Sequence, residues 1–124
     1  MTLFGGLANP PALNQGESYQ VWNNEAVGAG TTGQEVALAI IPGATGQSVS
    51  VEVSFSADPG AFELDLLTAD TDKAVNFIQR GSINAVNAAF AARLEASGIV
   101  ANFAALKLVS ITNAVNITAK ISLK

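Results

Sequence analysis

Histidine and cysteine are both absent from the 124 residues, and charged side chains make up only 13% of them. Without histidine the chain lacks the usual general base and the commonest transition-metal ligand. Without cysteine it has no disulfide staples, no zinc–thiolate site and no thiol nucleophile. Basic residues are few, and Lys73, Arg80, Arg93, Lys107, Lys120 and Lys124 are scattered through a chain of net charge −4. Nucleic-acid binding needs a basic patch to neutralise phosphates, so it is not expected. No stretch approaches the roughly 20 consecutive apolar residues of a membrane-spanning helix. The first residues carry no basic n-region, and Gly5, Gly6, Pro10 and Pro11 break their apolar run, so synthesis in the cytoplasm is expected.

What the chain does have is period-two alternation. Val49, Val51, Val53 and Phe55 alternate with Ser48, Ser50, Glu52 and Ser54, and Val115, Ile117, Ala119, Ile121 and Leu123 alternate with Asn116, Thr118, Lys120 and Ser122. Such spacing sends apolar side chains to one face of a strand and polar ones to the other. Further strands are expected at 19–22 continuing to 25–27 after Asn23-Asn24, at 35–41 closed by Pro42-Gly43, and at 62–68, 74–79, 90–96 and 100–111. The segment 100–111 is apolar on both faces, which predicts a central position. The Ala-rich stretch 86–96 also admits a helical reading. About eight strands at regular spacing predict an all-β protein, an antiparallel, jelly-roll-like β-sandwich. Residues 19–124 would form it, preceded by an extended N-terminal arm, 1–18, punctuated by Gly and Pro.

The arm carries Leu3, Phe4, Leu7 and Leu13. These either fold back on the domain or reach a partner, and Leu3, Phe4 and Leu7 are the expected partner-binding residues. The low charge content likewise fits a surface partly covered by a neighbour, or a small Ala-rich β domain.

Catalytic constellations are sparse. Asp70 and Asp72, with Asp65 and Glu63 upstream, form an acidic cluster, but Ala-Asp-Thr-Asp-Lys lacks the central Gly and terminal Glu of an EF-hand loop. A solvated turn is the plainer reading. Glu52, Glu63 and Asp65 project from the outer faces of expected strands and so admit a paired-carboxylate glycosidase, but Tyr19 and Trp22 are the only large polar-tipped aromatics for stacking a sugar. Gly28-x-Gly30-x-x-Gly33 has dinucleotide-motif spacing without the βαβ context, which makes it a hairpin loop. Neither Gly-x-Ser-x-Gly nor Ser-x-x-Lys occurs. Trp22 is expected as a core or interface anchor, and Arg80 and Arg93 as partners of surface acids. The expectation is a protein that is not an enzyme and uses no cofactor, metal or small-molecule substrate.

Ser48–Phe55, then Pro59-Gly60-Ala61-Phe62-Glu63-Leu64-Asp65-Leu66 and Thr68-Ala69-Asp70-Thr71-Asp72, resembles a pattern in small β-sandwich virion proteins of tailed bacteriophages. The ending from Phe103 to Lys124 is similar too, so the resemblance spans roughly 48–124. It implies a structural virion protein of the capsid decoration, or cement, type. Such a protein binds the major capsid protein on the outer capsid surface, bridges neighbouring capsomers and self-associates as a dimer or trimer. A tail, baseplate or fibre component, or a carbohydrate-binding module, are the alternatives.

Overall fold

A computed structural model describes residues 12–71 and 76–124, apart from the side chains of 33–45. Six antiparallel strands follow in chain order: β1 (Ser18–Val27), β2 (Thr32–Phe55), β3 (Phe62–Ala69), β4 (Ile78–Ile83), β5 (Ala91–Ile111) and β6 (Val115–Leu123). No helix occurs among the described residues; 91–96, where a helix was an option, is strand instead.

The eight expected strands become six because two pairs are continuous. Segments 35–41 and 48–56 both belong to β2, and segments 90–96 and 100–111 both belong, apart from end residues, to β5. Pro42, Gly43 and Gly46 mark irregular pairing rather than a chain reversal: the β2–β5 register shifts between Ala39 and Ala44 and again between Thr45 and Val49. Opposite them Gly98 takes φ +67, the region open to glycine without a Cβ penalty. The strand expected at 74–79 lies further along at Ile78–Ile83, with 72–75 outside the described residues. Burying Ile83 opposite Leu64 sets that position, and Gln-Arg-Gly-Ser shows no alternation that would announce it.

Hydrogen bonds link the strands in the order β1-β6-β2-β5-β3-β4. Yet β6 pairs only with residues 49–55 of β2, and β3 only with residues 103–111 of β5. Dividing the two long strands at their irregularities therefore yields two sheets. The front sheet is β1, β6, the second half of β2 and the first half of β5; the back sheet is the first half of β2, the second half of β5, β3 and β4. Counted along the chain, the segments run 1-8-3-6 in front and 2-7-4-5 behind, the interlocked double Greek key of a jelly roll.

Between the sheets one cluster joins Leu13, Trp22, Val49, Val51, Val53, Leu64, Leu66, Leu106, Leu108, Ile117, Ile121 and Leu123. Phe55 and Phe62 close one end edge-to-face, with centroids 4.9 Å apart. The turns on that end brace one another: Asn113 donates from its amide N to Pro59 O at 3.1 Å and from Nδ2 to Asp58 O at 3.2 Å. Gly60, at φ +69, would place a Cβ 3.0 Å from Asn113 Nδ2. Gly60→Ala should therefore cost about 1–3 kcal/mol through backbone strain and crowding. Gly28→Ala, with only Thr31 Oγ1 at 3.6 Å and an ordinary φ, should change stability by less than about 0.5 kcal/mol. Urea denaturation midpoints of the two variants check this contrast.

Candidate binding face

Alternation along four paired strands lays the front sheet's polar residues out in rows across its outer face. Gln20, Lys120, Glu52 and Arg93 are consecutive register partners across β1, β6, β2 and β5. The next row is Thr118, Ser54 and Ala91, and on the other side Ser18, Ser122, Ser50 and Glu95. Neighbouring strands lie about 4.8 Å apart, which brings long charged side chains of one row within ion-pair reach. Glu52 sits between two cations, with Arg93 Nη1 at 3.9 Å and Lys120 Nζ at 3.7 Å, while Arg93 Nη2 also reaches Glu95 at 3.4 Å. Arg93 is thus paired with surface acids, as its sequence context predicts.

The loop entering β5 forms a wall beside these rows. Asn87 Oδ1 accepts from the amides of Ala89 and Ala91 at 2.9 and 3.1 Å, and this bracing holds Phe90 at φ +57. Phe90 O in turn accepts from Phe55 N at 2.9 Å, which fixes the loop to β2. The result is an open cleft of about 460 Å³ lined by Glu52, Ser54, Asn87, Arg93, Thr118 and Lys120, floored by Val53, Ala91 and Ala92. No aromatic ring lines it among the described residues.

The other candidate carboxylates are on the far side of the sandwich. Glu63 and Asp65 project from the outer face of the back sheet, so sheets about 10 Å apart separate them from Glu52. Glu63 hydrogen-bonds Asp65, which together with repulsion by the Asp65 charge raises the Glu63 pKa above the usual carboxylate range. Asp65 is buried and accepts a hydrogen bond from the Ser82 hydroxyl. Asp70 is exposed at the end of β3, where its carbonyl accepts from Asn102 Nδ2 at 3.2 Å; Asp72 lies outside the described residues. No group of three or more metal-ligating side chains occurs among the described residues. Arg80 donates from Nε to Thr68 Oγ1 at 2.9 Å. Trp22 is a core residue, 2% exposed. Gly28 to Thr31 turn tightly, Thr31 donating to Gly28 O, but they join front-sheet β1 to back-sheet β2 rather than forming the expected hairpin loop. Leu3, Phe4 and Leu7 lie outside the described residues. Sequence reading named the charged residues of the front face singly; their meeting in one row depends on strand order, which carries no local signal.

This fold defines the chain as a jelly-roll β-sandwich. No protein-family model matches the sequence, and no curated protein matches it. Among solved structures it is similar to the K3 adhesin domain of Lys-gingipain from Porphyromonas gingivalis (TM-score 0.56, 12% identity), over 76% of this chain and 65% of that one, less than two-thirds of its length. It is similar to CsCBM6-3 from Clostridium stercorarium, solved with cellobiose (TM-score 0.53, 12% identity, 95% and 98% covered). The SPBc2 prophage-derived protein YomS matches more distantly (TM-score 0.48, 15% identity, 90% and 97% covered). At these identities the likeness is one of fold.

A raised Glu63 pKa means that the fold favours the protonated carboxyl, so its stabilising contribution is present at low pH and lost as pH rises through the folded-state value. Glu63→Gln should therefore melt slightly above the parent at pH 7 and converge with it towards pH 4. Melting temperatures across that range provide the check.

Proposed function

We propose that this chain is a non-catalytic attachment protein, a capsid decoration protein of a tailed bacteriophage that binds the major capsid protein and bridges neighbouring capsomers. The observation that carries this reading is how the apolar arm is anchored. Leu13 is seated in the core, and Gly16 N and Glu17 O bond to Leu123 O and N across the edge of the sandwich at 2.6 and 3.0 Å. Residues 1–11, with Leu3, Phe4 and Leu7, therefore start from a rigid point beside the last strand. Apolar side chains tethered there add buried area to any surface on which the sandwich lands. Self-association as a dimer or trimer would multiply that attachment.

The chemistry of the faces supports adhesion over catalysis. Glu52 is shared by two cations, and Glu63 and Asp65 bond to each other rather than standing ready for substrate. A jelly roll also serves as an adhesin domain in Lys-gingipain, so the architecture suits surface attachment. A sugar-stacking module is less well supported, because among the described residues the front cleft has no aromatic ring for a pyranose face.

Sedimentation with purified virus particles tests the proposal. The full chain should pellet with heads at hundreds of copies per particle, whereas about a dozen copies or fewer would place it on the tail. A chain lacking residues 1–11 keeps Leu13 and should melt like the parent but fail to pellet. Undiminished occupancy by the truncated chain would remove the arm from the mechanism.

A further inference from the structure

The front cleft has more hydrogen-bond donors on offer than acceptors. Asn87 spends its Oδ1 on the loop, and its Nδ2 has no partner among the described residues. Thr118 Oγ1 accepts from Asn24 N at 3.0 Å, which leaves its hydroxyl hydrogen to donate, and Ser54 Oγ is likewise unengaged among the described residues. Lys120 makes one ion pair, at 3.7 Å, and Arg93 two long ones. Against these donors the lining sets one carboxylate, Glu52.

Those ion pairs are exchangeable. The side chains of Glu52, Arg93 and Lys120 are 51%, 51% and 46% exposed, and pairs of that kind contribute little to stability. A ligand carboxylate could take over the two cations from Glu52 at small cost, and a guanidinium with an ammonium beside it forms charge-assisted bonds to such a group. The cleft's size falls within the roughly 300–1,000 Å³ of small-molecule sites. The hydroxyls of Ser54 and Thr118 and the Asn87 amide would then face a polyhydroxylated ring, while the lack of an aromatic platform removes the usual means of holding a neutral sugar.

We propose that the front cleft binds an acidic saccharide, a sugar ring bearing a carboxylate of the uronate or sialate type, with Arg93 and Lys120 on the carboxylate and Asn87, Ser54 and Thr118 on the hydroxyls. This site is built from residues of the sandwich, and its test uses sugars rather than virus particles, so it stands or falls separately from capsid attachment.

The test is titration of the full, isotope-labelled chain with sodium glucuronate, N-acetylneuraminate, glucose and acetate, followed by amide chemical shifts. Both or either of the acidic sugars should shift resonances of 52–54, 87–93 and 118–120, with glucose inert and acetate weaker by about tenfold or more. Arg93→Ala and Lys120→Ala, both at exposed positions, should each weaken binding by about tenfold or more. Glu52→Gln removes the competing carboxylate and should tighten it several-fold. Equal response to glucose, acetate as effective as the acidic sugars, weaker binding by Glu52→Gln, or no shift in the cleft at tens of millimolar sugar would each overturn the proposal.

Discussion

The antiparallel ladder between β2 and β5 is the constraint on which everything else rests. It runs from Thr32 opposite Ser110 to Ser54 opposite Ala91, so one pair of strands forms part of both sheets. Its register slips around Ala44 to Val49, where Gly46 at φ +107 and Gly98 at φ +67 absorb the change of direction. The remaining strands attach to one half only: β6 and through it β1 to the front half, β3 and through it β4 to the back half. A single shared ribbon thereby sets the distance and angle between two sheets whose apolar faces meet in one core.

That arrangement also determines what each surface can do. Because side chains alternate, every apolar residue committed to the core sends a polar neighbour outward, and strand order decides which polar neighbours meet. On the front face the meeting brings Lys120, Glu52 and Arg93 into one row. On the back face it sets Ser82 of β4 opposite Asp65 of β3. The two groups of carboxylates are kept apart by the thickness of the sandwich. Beside the closing strand, Leu13 is seated in the core while Gly16 and Glu17 bond to Leu123.

Much of this was legible in the order of residues. The alternating runs 48–56 and 115–123 emerged as strands with their apolar residues buried, and Asn23-Asn24 interrupted β1 as expected, with Asn24 at φ +50. The two-sided apolar segment 100–111 lies between β2 and β3, the central place its composition demands. Less legible were the joins. Pro42-Gly43 read as the close of one strand, and 90–96 and 100–111 as two separate strands, because a local signal for a turn and one for a bulge use the same residues. Strand β4 was expected a few residues early, at 74–79, because its place depends on Ile83 lying opposite Leu64 and on Gly81 leaving room for Leu94, requirements set by other strands.

Local pattern thus settled which segments extend and which face of each is apolar, since both follow from residue type and period along the backbone. The grouping of Glu52 with Arg93 and Lys120, the separation of Glu52 from Glu63 and Asp65, and the wall raised by Asn87 came only with the fold. They depend on which strands lie side by side, and pairing partners far apart in the chain are chosen by the burial of the whole core, which no short stretch of residues encodes.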